Sequence, residues 1–64
     1  MYRYNVVYEI IKDGKIEEIR SREMKFDKKI TNKEELLEIE RRLGEDVEEG
    51  TIEISNFVFI GEEE

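Results

Sequence analysis

The sequence predicts an α+β domain of element order ββαβ, with a three-stranded sheet in the order 2-1-3 and one helix packed on one face. Three observations predict it. A period-two run of β-forming residues from Tyr2 to Lys12 is closed by Asp13-Gly14, a leucine and isoleucine stripe over Asn32–Leu43 follows a capping sequence, and a second β-rich run covers Thr51–Ile60. Sixty-four residues, 45% of them charged, suffice for one small core. Residues 1–60 are therefore read as a single domain and residues 61–64 as a frayed acidic tail.

The first strand is the clearest element. Tyr2, Tyr4, Val6, Tyr8 and Ile10 share one parity, and Asp13-Gly14 supplies the positive φ angles that a two-residue hairpin turn demands. The return strand, Lys15–Phe26, is harder, because Ile16, Ile19, Met24 and Phe26 do not keep a single alternation. A tight turn alone sets Ile19 opposite Tyr8 and Ser21 opposite Val6 but leaves Met24 opposite Arg3. One extra residue near Arg22-Glu23 repairs this, pairing Tyr4 with Met24 and Tyr2 with Phe26.

Asp27–Ile30 is a polar connector. Thr31-Asn32-Lys33-Glu34 fits a capping box in which the threonine hydroxyl and the glutamate satisfy free helix N–H groups. In the helix that follows, Leu36, Ile39 and Leu43 form one stripe with Leu37 beside it. Glu34 and Glu35 stand at the positive end, Arg41 and Arg42 at the negative end, and Gly44 is placed to adopt the left-handed terminal conformation. After an acidic loop, Glu45–Gly50, comes the third strand, which belongs beside the first. The first strand is apolar on both faces, Val7 and Ile11 included, whereas the second is charged enough to be an edge.

Histidine and cysteine are both absent, which removes the commonest general base, the thiol nucleophile, the zinc cluster and the disulfide framework together. The paired carboxylates Glu17-Glu18, Glu34-Glu35 and Glu48-Glu49 need a concave site before they can work as acid and base. Ser21, Ser55, Thr31 and Thr51 lack an activating partner. No calcium-loop spacing and no glycine-rich phosphate loop occurs, so the chain is expected to be non-enzymatic and to carry no cofactor and no metal. Met1–Asn5 shows no apolar leader, and the lack of cysteine suits a cytoplasmic protein.

Charge is unevenly spread. Residues 1–44 hold all 11 basic residues against 10 acids, while residues 45–64 hold 8 acids and no base, for a net charge of −7. Direct nucleic-acid binding is not expected of such a chain, nor is membrane binding. One reading makes Glu45, Asp46, Glu48, Glu49 and Glu53 a phosphate-like acidic surface that occupies a partner's nucleic-acid groove; the plainer one makes them solvated charge. A second feature is apolar surface facing away from the helix. Val7, Ile11 and Ile16 point outward when the even face of the first strand meets the helix, and an uninterrupted third strand adds Phe57 and Phe59 to them. A bulge at Ser55-Asn56 instead turns the phenylalanines inward and leaves Val58 and Ile60 outside. Either patch predicts a protein partner or a homodimer.

The pattern Tyr4-x-Val6, Tyr8-Glu9-Ile10, Asp13-Gly14-Lys15, Ile30-Thr31 ahead of Glu34-Glu35-Leu36 and Ile39-Glu40, then Ile52-x-Ile54-x-Asn56-Phe57, resembles short uncharacterised proteins of Firmicute phages and mobile elements. The layout is also similar to that of small acidic phage inhibitors of uracil-DNA glycosylase, which are ββαβ dimers that mimic DNA. This chain has Lys33, Glu34 and Glu35 where those inhibitors use an aromatic near the helix start, so their partner is not carried over. The uncharacterised family carries no known activity; the chain is expected to be a non-enzymatic interaction protein, an inhibitor of phage or mobile-element origin that sterically blocks a host protein. The alternative is a stand-alone scaffold, natural or designed, with no partner.

Overall fold

In the computed structural model, which describes residues 1–47 and 49–63, the chain runs β1 (Tyr2–Lys12), β2 (Lys15–Phe26), α1 (Lys33–Gly44) and β3 (Thr51–Glu62). All neighbouring strands are antiparallel and the sheet order is β2-β1-β3, as the polarity of the strands predicts. Asp13 and Gly14 both have positive φ, 53° and 74°, so the hairpin closes with the tight turn that an Asp-Gly pair favours. On β1, burial alternates strictly, with Tyr4, Val6, Tyr8 and Ile10 buried. Ile39 and Leu43 of α1 complete this core, and Val6, at 0% exposure, lies at its centre.

The helix begins one residue later than the capping box predicts. Asn32, not Thr31, is the cap: its Oδ1 accepts the Glu35 N–H at 2.9 Å, and its Nδ2 donates to Glu35 Oε1 at 2.8 Å. The cap therefore satisfies one helix N–H, that of Glu35, and the Glu35 carboxylate accepts its bond from the Asn32 side chain instead of from its backbone. The C-terminus also differs. Gly44 is helical, and the chain leaves through Glu45 in an ordinary right-handed conformation, its N–H shared between the Arg42 and Leu43 carbonyls. A Cβ at Gly44 would meet only Ile52 Cγ1, at 4.0 Å. Gly44→Ala is therefore expected to stabilise the fold by about 0.5–1 kcal/mol through helix propensity, read as a higher urea midpoint at constant m-value.

Two further expectations are corrected. The extra residue in β2 is Glu17, beside the turn, and not one near Arg22-Glu23: Ile10 pairs with Glu18 and Ile11 with Ile16. Tyr4 with Met24 and Tyr2 with Phe26 stay paired, but Ile19 now lies opposite Glu9 and Arg20 opposite Tyr8. The terminal residues are not a frayed tail either. Gly61 and Glu62 continue β3 opposite Arg3 and Tyr2, Glu63 exchanges backbone hydrogen bonds with Met1, and its carboxylate pairs with Lys25 at 2.8 Å. Glu64 lies outside the described residues.

One 12-residue helix, about 18 Å long, covers only part of a three-stranded face. It leans over β3, where Glu40 Oε1 accepts the Ile54 N–H at 2.9 Å and so seals part of that sheet edge. The connector crosses the other end of the face, with the Ile30 N–H donating to the Tyr4 hydroxyl at 3.0 Å. No described helix is long and apolar enough to cross a membrane.

Candidate interaction face

Of two bulges in β3, at Ser55 and at Ile60, the first decides whether Phe57 and Phe59 face outward. Asn56 pairs with Val7 and Ile54 with Tyr8, so Ser55 is the extra residue. Its hydroxyl donates to the Val7 carbonyl at 3.2 Å, and the Asn56 side-chain oxygen accepts the Phe57 N–H at 3.0 Å. Small polar side chains thus satisfy backbone groups that the interrupted ladder leaves free. Beyond the bulge, Phe57 and Phe59 fall opposite Val6 and Tyr4, on the helix side. Phe57 stacks on Tyr4 with ring centroids 4.5 Å apart, while Phe59 lies 5.4 Å from Tyr4 and 6.4 Å from Tyr2, under the Lys29 ammonium. Both phenylalanines therefore leave the partner-facing set expected from an uninterrupted strand. Val58, opposite Asn5, takes the outward place, and with Ile60 it remains half-exposed.

Val7, Ile11 and Ile16 do stand on the outer face, and Ile19 joins them. Ile11 and Ile16 are direct cross-strand partners, and Ile19, opposite Glu9, is 65% exposed against 56% for Ile16. Sequence reasoning put Ile19 inside because it set the β2 bulge after Ile19 and not before it. The apolar side chains gather at the turn end of the sheet. Toward the other end the same face is polar apart from Val58: Arg3 bonds Glu23 at 2.7 Å, and Ser21 bonds Asn5 at 3.2 Å. Each of these contacts is exposed and adds little stability. The Arg3 guanidinium nevertheless holds the Glu23 carboxyl below the usual carboxylate range by hydrogen bonding and charge.

Glu9 and Glu53 are cross-strand neighbours in the middle of this face, and among the described residues neither has a basic partner. Like charges directly opposite one another destabilise a sheet slightly. Next to Val7, Ile11 and Ile19 they give the face an apolar half with two unneutralised carboxylates beside it.

The other acids of the predicted phosphate-like surface are dispersed. Glu45 bonds Arg41 at 2.8 Å, Asp46 lies 3.9 Å from Arg22, and Glu49 pairs with Lys12. Glu53 belongs to the outer sheet face, and Glu48 lies outside the described residues. Three of the five are thus matched to cations on three different elements, and the described ones do not make a single uncompensated row.

On the helix side, the charged stretch of β2 lies beyond the reach of α1. Glu18 and Arg20 bond each other at 2.9 Å along the strand, and the guanidinium holds that carboxyl below its ordinary range. An open groove of about 490 Å³ runs between the connector, Phe26 and the first turns of α1, lined by Glu34, Glu35, Glu38 and Arg42. Of its carboxylates, Glu35 accepts from Asn32 through Oε1 and keeps Oε2 buried without a hydrogen-bond partner, while Glu38 bonds Arg41 at 2.6 Å, which lowers the Glu38 pKa. No group of three or more acidic side chains suited to a metal ion occurs among the described residues. No family model, curated protein or solved structure matches the chain.

Proposed function

We propose that this chain is a non-enzymatic, cytoplasmic protein-interaction module that works by steric occupancy of a partner's surface. The observation that carries this reading is the outer sheet face. Ile16 and Ile19 are exposed and Val7 and Ile11 partly exposed beside them, on the side of the sheet opposite the one helix among the described residues. Small monomers seldom leave such a patch uncovered. Glu9 and Glu53 beside it favour a partner that presents an apolar side chain flanked by lysine or arginine, because a cation there would relieve their mutual repulsion. Mimicry of nucleic-acid phosphates is less well supported, since Glu45, Asp46 and Glu49 are matched to cations on separate elements. In this reading the partner is a host protein and the outcome is its inhibition.

Immobilised wild-type chain is expected to retain a saturable, stoichiometric protein from Firmicute lysate. Val7→Glu should lose it while keeping the circular dichroism of the wild type, because Val7 points away from the core. Equal retention by the folded Val7→Glu variant, or no saturable protein with wild type, overturns the proposal and leaves a scaffold without a partner.

A further inference from the structure

The pairing of β1 with both neighbours fixes which side chains adjoin one another on the outer face. Ile16 and Ile19 stand on β2 opposite Ile11 and Glu9, Val7 stands one outward position beyond Glu9 on β1, and Val58 stands on β3 opposite Asn5. Ile16, Ile19, Val7 and Val58 therefore lie on a diagonal that crosses all three strands, with Ile11 broadening it at the turn end. Its ends, level with Ile11 and Asn5, are six residues apart along β1 and two strand spacings apart across the sheet, about 22 Å in all. Val58, 46% exposed, keeps the far end of the diagonal open.

Beyond the turn end this stripe is one side chain wide, since Ser21 and Asn56 flank Val7 on the neighbouring strands. A second sheet laid on it would press an apolar layer onto Ser21, Asn56, Glu9 and Glu53 as well. A helix fits the stripe, because its own apolar strip is narrow and its flanks are polar, and about 22 Å corresponds to about 15 residues, or four turns. The opposite face already carries a helix of 12 residues, so a second helix here completes a three-layer arrangement.

The two flanks of the stripe differ in charge. Glu9 and Glu53 lie on its β3 side and have no basic partner among the described residues, whereas Glu23 on its β2 side is matched by Arg3. A second copy of the chain fits poorly: it carries the same net charge of −7, and the basic residues of its outer face, Arg3 and Lys25, are already paired with Glu23 and Glu63. We infer that the outer face receives one amphipathic helix of the partner, about four turns long, lying along this diagonal with lysine or arginine on the single flank that meets Glu9 and Glu53. The inference rests on the proposed partner contact and adds the shape and charge of what fills it.

Panning the immobilised chain against two random display libraries tests it, one presenting faces of about 15 residues on a helical scaffold and the other presenting extended segments of the same length. The helical library is expected to yield saturable binders with apolar residues at three- and four-residue spacing and lysine or arginine on one flank. Val58→Glu should weaken a selected binder at least about tenfold, and so should Glu9→Lys with Glu53→Lys, which puts one like-charge pair in place of another. All three side chains point away from the core, so circular dichroism should stay that of the wild type. No saturable binder from the helical library, helical binders without a cationic flank, or helical binders unaffected by Val58→Glu overturn the inference. A wild type that sediments as a dimer broken by Val58→Glu also overturns it, by giving the stripe to a second copy. Lysate retention tells the two readings apart. A protein lost by Val7→Glu but held by Val58→Glu keeps the partner contact and refutes the diagonal helix, whereas no retained protein overturns the partner contact itself.

Discussion

Tyr4→Ala is expected to remove most of the folding stability of this protein. Tyr4 is the hub of the aromatic end of the core, stacked on Phe57 at 4.5 Å, edge-on to Phe26 at 5.8 Å and beside Phe59 at 5.4 Å. Its hydroxyl also accepts the Ile30 N–H at 3.0 Å, which ties the connector down before the helix starts. Truncating a buried aromatic costs about 3–5 kcal/mol, and a domain of this length has only about 3–10 kcal/mol in total. Tyr4→Phe isolates the hydrogen bond: it keeps the stacking and should cost about 1–2 kcal/mol for the stranded Ile30 N–H. Urea unfolding followed by circular dichroism separates the two losses. Equal midpoints for Tyr4→Ala and Tyr4→Phe would show that the ring packing contributes little and refute the hub role.

Gly50→Ala has the second largest expected effect, at a residue that makes no side-chain contact of its own. Gly50 has φ +96°, a conformation L residues rarely adopt, and a Cβ there would come within 2.6 Å of the Ile11 carbonyl oxygen and 3.6 Å of Ile10 Cγ2. The obstructing atom is backbone of the central strand, which cannot move aside without disturbing the sheet. Strain and overpacking together should cost about 2–4 kcal/mol. The sharp contrast is with Gly44→Ala in the same protein, expected to stabilise, because Gly44 is helical and has open space toward Ile52. If thermal melts place both variants on the same side of wild type, the conformational argument fails for one of them.

The candidate face was only partly legible in the sequence. Val7 and Ile11 were readable as outward because β1 carries its alternation without a break, and Ile16 because it lies opposite Ile11 beside the turn, ahead of the β2 bulge. Ile19, Phe57 and Phe59 were not, because each lies beyond a bulge, and one inserted residue moves every later side chain to the opposite face. A signal for the β3 bulge was present in Ser55-Asn56, whose short polar side chains can satisfy interrupted backbone groups. In β2 no comparable signal exists, since an extra residue at Glu17 and one near Glu23 give the same pairing for Met24 and Phe26.

Local chemistry alone determined the element order, the hairpin turn, the helix with acids at its start and arginines at its end, and the central place of β1. Those features depend on neighbouring residues: positive φ at Asp13-Gly14, period-two apolar residues, and a cap within one turn of its helix. Tertiary packing decided the rest. Which residue caps the helix, where the three bulges fall, and that Gly61–Glu63 join the sheet depend on how one short helix divides a face three strands wide. It covers β1 and β3, so the aromatic side chains of β3 turn inward to meet Tyr4, and the charges of β2 are left to solvent where no apolar surface competes for them. Periodicity records which residues alternate; only the competition between helix, connector and water for one face sets where that alternation breaks.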